Sequence, residues 1–169
     1  MPASTQTTKR PPVYFLGIGG PNFMENTTHP AYTKLSEVGR EITTKVKPKA
    51  VVVFSAHWSG GPNKIKINVA ENADLIYDFY GFPPHYYEHE YPNKGSREVA
   101  AKVVDRIAAA GVEVERVERG LDHGVWVGFI AGEYYRKPRG GRAVLIQCND
   151  SVRSKEEPIE RTNCTSLAI

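Results

Sequence analysis

The sequence predicts an α/β domain with a central, mostly parallel or mixed sheet flanked by helices. Three observations carry that prediction. Ala50–Phe54 is an unbroken β-branched and aromatic run, the composition of a strand covered on both faces. Pro30–Val46 and Ser96–Ala110 each place apolar residues at steps of three and four, as helices facing a core do. Strands and helices alternate, and a strand–helix–strand order implies parallel pairing through a right-handed crossover.

Composition narrows the class. The chain has 169 residues, one domain's worth and enough to bury a core. Hydrophobic residues are 40% and charged residues 24%, ordinary for a globular protein. The net charge is +3 and no Lys/Arg block stands out, which argues against nucleic acid as a partner. No apolar run approaches the ~20 residues of a membrane span. Met1–Pro12 has no apolar stretch of the secretory kind. Cys148 and Cys164 fit neither a disulfide framework nor a CxxC site. A reducing, cytoplasmic setting is expected.

In chain order, residues 1–12 read as a disordered arm. Val13–Leu16 is a short strand, and Gly17-Ile18-Gly19-Gly20-Pro21 is a turn without the Gly-Lys-Ser/Thr of a phosphate loop. The helix over Pro30–Val46 carries the stripe Leu35, Val38, Ile42 and Val46, with Thr27 or Thr28 as cap. The buried strand follows and runs into Ser55-Ala56-His57-Trp58. His57 then falls just past the strand's carboxyl end, where open α/β sheets bind ligands. It is a metal-ligand candidate, or a histidine packed against Trp58. Lys64–Val69 alternates, as a half-exposed strand near an edge does.

Residues 74–95 are dense in aromatics, and Pro83 and Pro84 exclude a regular helix or central strand. Such a loop is a lid or pocket wall, or the plug of a satellite core. Ser96–Ala110 is a helix capped by Ser96, with Gly111 just after it. Val112 and Val114 open a further strand. His123 follows in Asp122-His123-Gly124, on a turn where a carboxylate neighbour can orient the imidazole. From Gly132 the chain turns basic and polar. Ala143–Ile146 fits one more strand, whereas Ser151–Asn163 has no periodicity and is expected to be poorly ordered.

Four motifs, taken together and in order, resemble the class III extradiol ring-cleavage dioxygenases of the DODA (DOPA extradiol dioxygenase-like) type. They are Gly19-Gly20-Pro21, Ser55-Ala56-His57-Trp58, Leu75-Ile76-Tyr77-Asp78-Phe79-Tyr80-Gly81-Phe82-Pro83 and Gly120-Leu121-Asp122-His123-Gly124-Val125-Trp126. The resemblance covers residues 13–131 and implies an α/β domain. It implies opening of a catechol ring beside its two hydroxyls, with O2 and a non-haem Fe(II) or Zn(II). Carried over, His57 matches a metal ligand and His123 an active-site histidine beside the substrate. Tyr77, Tyr80 and Trp58 are then expected to wall the substrate pocket; Asp78 receives no role.

The departures shape the expectation. Where the family's first strand ends in a ligand histidine, this chain has Ile18. His29 could substitute only if the loop folds back. None of the five histidines follows His123, so the family's later ligand and later catalytic histidine have no counterpart. Residues 132–169 do not resemble the family and are expected to form a divergent, poorly ordered tail. The expectation is a truncated copy whose metal binding is weak or absent, with an exposed sheet edge that favours homo-oligomers. The competing readings are an active dioxygenase, a non-catalytic truncated paralogue, and an α/β module that binds a small molecule.

Overall fold

The computed structural model describes residues 11–17, 19–59, 64–133, 144–150 and 164–168. Among them, six strands form one mixed sheet: β1 (Val13–Gly17), β2 (Ala50–Ser59), β3 (Lys64–Asn68), β4 (Glu113–Val117), β5 (Val144–Asp150) and β6 (Cys164–Ala168). Their order is β1-β6-β2-β5-β3-β4. β2 pairs in parallel with β5 from Ala50 opposite Val144 to Ser55 opposite Asn149. β6 runs antiparallel to both β1 and β2. β1 and β2 are therefore parallel but not adjacent, which corrects the direct pairing expected across the first helix. The backbone groups of both strands bond to β6 instead.

Among the described residues, three α-helices flank the sheet: α1 (Pro30–Glu41), α2 (Arg97–Ala109) and α3 (His123–Ala131). The β-branched run of β2 is what allows helices on both faces. Val51 and Val53 pack with Val125 and Phe129 of α3, and Val52 and Phe54 pack towards Ala100 of α2. α3 reads His-Gly-Val-Trp-Val-Gly-Phe-Ile-Ala, with no polar face after its first residue. Apolar all round, it belongs in the interior, and seven of its residues are buried.

α2 begins as expected, with Ser96 Oγ accepting from the Val99 N–H at 3.2 Å. α1 differs at both ends. Its cap is His29, whose Nδ1 accepts from the Ala31 N–H at 3.1 Å, rather than Thr27 or Thr28. Its last expected turn, Ile42–Val46, widens into a π-helix. Lys47 then closes it in the left-handed region, at φ 49°.

The aromatic segment supplies much of the core. Phe79 and Tyr86 are buried with Phe23, Met24 and Trp126 in one cluster. A single 3-10 turn, Pro84–Tyr87, is the regular structure in it. The loop is tied down by backbone pairing beside α3: Ile76 N–H donates to Leu121 O at 2.7 Å, and Leu121 N–H donates to Asp74 O at 2.8 Å.

The strand expected at Ala143–Ile146 is β5. Cys164–Ala168, in the stretch that did not resemble the family, is β6. Of the expected disordered arm, residues 1–12, all but the last two lie outside the described residues, as does the whole of 151–163. Cys148 on β5 is fully buried among Ile67 and Ala100, and burial pushes its thiol up to about 12. The thiolate is the reactive form. A thiol reagent at about pH 8 is therefore expected to leave Cys148 unmodified in the folded protein and to modify it in denaturant. Peptide mass mapping distinguishes it from Cys164.

Candidate functional site

His57 lies inside β2, which runs on to Ser59 rather than ending at Phe54. The pairing of β2 with β5 shifts register between Ser55 and Ser59. The His57 N–H there donates to Ser55 Oγ at 3.2 Å. His123 is the first residue of α3, not part of a turn. The two rings meet with centroids 4.0 Å apart, tilted by 51°.

Asp78, from the aromatic loop, completes the group. Its Oδ1 accepts the His123 backbone N–H at 2.9 Å and sits 2.8 Å from His123 Nδ1. A carboxylate opposite Nδ1 selects the tautomer with the proton on Nδ1 and leaves the lone pair on Nε2. Burial by itself would raise the Asp78 carboxyl. The hydrogen bonds from the His123 side chain and backbone outweigh it and hold the group below its ordinary range. Phe79 stands edge-on to the His123 ring, centroids 5.6 Å apart. Ligand atoms of His57, Asp78 and His123 all lie within 4.8 Å of one another.

Glycine is required where α3 meets β2. A Cβ on Gly124 would stand 2.5 Å from His57 Cδ2 and 2.7 Å from Ser55 Oγ. Only a bare Cα lets the strand-borne histidine reach the helix-borne one.

The structure brings His57 and His123 together and leaves His29 elsewhere, exposed at the start of α1. The position of Ile18 lies outside the described residues. Tyr77 donates its hydroxyl to His89 O at 2.7 Å, and its ring packs 5.4 Å from Trp126. Trp58 is buried, with the Arg119 guanidinium 4.3 Å over its ring. Tyr80 is 89% exposed and projects into solvent. Asp78 is the site residue that sequence reasoning left without a role. Its signal was a lone carboxylate in an aromatic, apolar stretch. Nearby, the Glu25 carboxylate lies 3.2 Å from His85 Nε2 and 3.6 Å from His89 Nε2, linking the β1–α1 connection to the aromatic loop.

Two imidazoles and a carboxylate gathered in an α/β fold form a donor set that could hold a metal ion. Residues 7–131 match the family described as the catalytic LigB subunit of aromatic ring-opening dioxygenase, and the chain belongs to that family. It is 38% identical over 116 residues to a 4,5-DOPA dioxygenase extradiol of Beta vulgaris, covering 68% of this chain and 42% of that protein. It is 34% identical over 122 residues to the 4,5-DOPA dioxygenase extradiol of Escherichia coli (strain K12), covering 71% and 42%. A 4,5-DOPA dioxygenase extradiol-like protein of Schizosaccharomyces pombe is 37% identical over 101 residues, covering 58% and 34%. The match thus spans less than half the length of these relatives. Among the described residues, no helix is long and apolar enough to cross a membrane.

Proposed function

We propose that this chain takes part in metal-dependent extradiol cleavage of a catecholic ring by O2, with Fe(II) or Zn(II) held by His57, Asp78 and His123. The observation that carries the reading is the convergence of these three donors within 4.8 Å. Ligand counting along the sequence found one donor and expected weak binding; the gathered set supports a stronger site. Two imidazoles and one carboxylate leave several coordination positions open, as a two-oxygen catechol and O2 require. The bound metal would supply Lewis acidity and a meeting point for catechol and oxygen. The chain's own residues orient and protect. Asp78 fixes the tautomer of His123, and Phe79 packs edge-on against the His123 ring. Through Phe79, the packed aromatic loop covers one edge of the His123 ring, a side from which water would be kept.

One observation favours a second reading of His123. A carboxylate bound to Nδ1 is the arrangement of an oriented general base. His57 would then hold the metal while His123 Nε2 accepts a catechol proton. The two readings separate in a His123→Gln variant. Loss of metal makes His123 a ligand; retained metal with lost turnover makes it a base.

The test combines metal titration of the purified chain with oxygen uptake on DOPA and simpler catechols. About one metal per chain is expected. His57→Ala should weaken binding by more than the ~10–100-fold that outer partners typically cost. A chain that binds no metal overturns the reading. Catechol binding without oxygen uptake would instead identify a small-molecule-binding module. The reading includes a cytoplasmic location, where a free thiol such as Cys148 stays reduced. It also includes self-association through edge strand β1, supported by Val13 and Phe15, which are 74% and 71% exposed.

A further inference from the structure

We infer that Ser55, Asp122 and Arg119 are positioning residues that lock the two site histidines to each other. The inference rests on the metal-site reading above but has a readout that does not depend on it.

Three contacts make the lock. Ser55 Oγ donates to Asp122 Oδ1 at 2.6 Å. The same oxygen accepts the His57 N–H at 3.2 Å. Arg119 donates from its guanidinium to Asp122 Oδ2 at 3.0 Å. Ser55 and Asp122 are both fully buried. Arg119 is itself held over the Trp58 ring, at 4.3 Å. Two of the three stand close to a site histidine in the chain: Ser55 is two residues before His57, and Asp122 is directly before His123. The lock thus ties the irregular end of β2 to the first turn of α3.

Asp122 shows that this placement overrides local preference. It occupies the N-cap position of α3, where an aspartate ordinarily bonds the N–H groups of the first turn. Its side chain makes no such cap bond. Its two oxygens turn to Ser55 and Arg119 instead. Asp78, from another loop, takes the His123 backbone N–H. A residue that forgoes its local role for a buried long-range bond marks a constraint beyond helix formation. Outer partners of this kind hold ligand rings in register and tune metal affinity.

The experiment compares Ser55→Ala, Ser55→Thr and Arg119→Gln with the parent chain. Metal affinity is read by Zn(II) titration. Ring geometry is read in metal-free protein by the NMR cross-relaxation between the His57 and His123 imidazoles. Thermal unfolding reports on the fold. Ser55→Ala is expected to weaken Zn(II) binding ~10–100-fold and to diminish the ring–ring signal. Ser55→Thr, which keeps the hydroxyl, should restore both towards the parent. Arg119→Gln should lie between, about 10-fold weaker. If Ser55→Ala does not fold, Arg119→Gln decides on the same two readouts. Parent-like affinity together with an intact ring–ring signal in the deciding variant overturns the inference. A parent chain that binds no Zn(II) refutes the metal reading alone, and the ring–ring signal then decides the lock.

Discussion

Trp126→Ala is expected to cost about 3–5 kcal/mol of stability, the range for deleting a large buried aromatic. Trp126 is fully buried and is the largest such side chain among the described residues. Its ring meets Tyr77 at 5.4 Å and Phe79 at 6.0 Å. Its Nε1–H donates to Ile76 O at 3.1 Å. The substitution therefore opens a cavity and leaves a carbonyl of the aromatic loop without that donor. Domains of this size have roughly 5–15 kcal/mol in total, so a large part of the folding free energy would be lost. Urea denaturation of the two proteins checks this. Trp126→Phe keeps most of the ring and should cost only the hydrogen bond and a smaller void, about 1–2 kcal/mol. Equal stability of Trp126→Ala and the parent would show that the loop does not depend on this anchor.

Gly124→Ala is expected to damage the site more than the fold. In a helix interior the change ordinarily helps by about 1 kcal/mol. Here the added Cβ would stand 2.5 Å from His57 Cδ2 and 2.7 Å from Ser55 Oγ. Overpacking of this kind typically costs about 1–3 kcal/mol, so the net loss of stability should be small, on the order of 1 kcal/mol. The atoms that must give way belong to His57 and to the serine beneath it. Metal affinity should therefore fall by at least ~10-fold, as when an outer partner is lost. Calorimetric metal titration alongside thermal unfolding reads both effects. Unchanged affinity would mean that His57 relaxes without leaving the site, or that it is not a ligand.

The elements that local patterning specifies were legible. The β-branched run of β2, the stripes of α1 and α2 and the Ser96 cap are set by periods and by hydrogen bonds spanning a few residues. The ends were less so. His29 rather than a threonine caps α1, because the imidazole reaches the Ala31 N–H from the residue directly before Pro30. α3 escaped pattern reading because it has no polar face: a helix buried on every side carries no period. The placement of β6 between β1 and β2 had no local signal at all.

The site divides in the same way. The sequence by itself determined the histidine motifs, the aromatic loop and, through their order, the resemblance to ring-cleaving dioxygenases. That resemblance in turn implies a ligand histidine where this chain has Ile18. Only the tertiary structure decided which side chains share one space. Asp78 and His123 are 45 residues apart, and Ser55 and Asp122 are 67 apart, yet both pairs are in hydrogen-bond contact. Periodicity records which face of an element is apolar. It carries no information on which loop crosses that face, and this depends on how whole elements pack. His29 went to a helix cap and Tyr80 to solvent, while an aspartate without an assigned role came to hold the catalytic candidate His123.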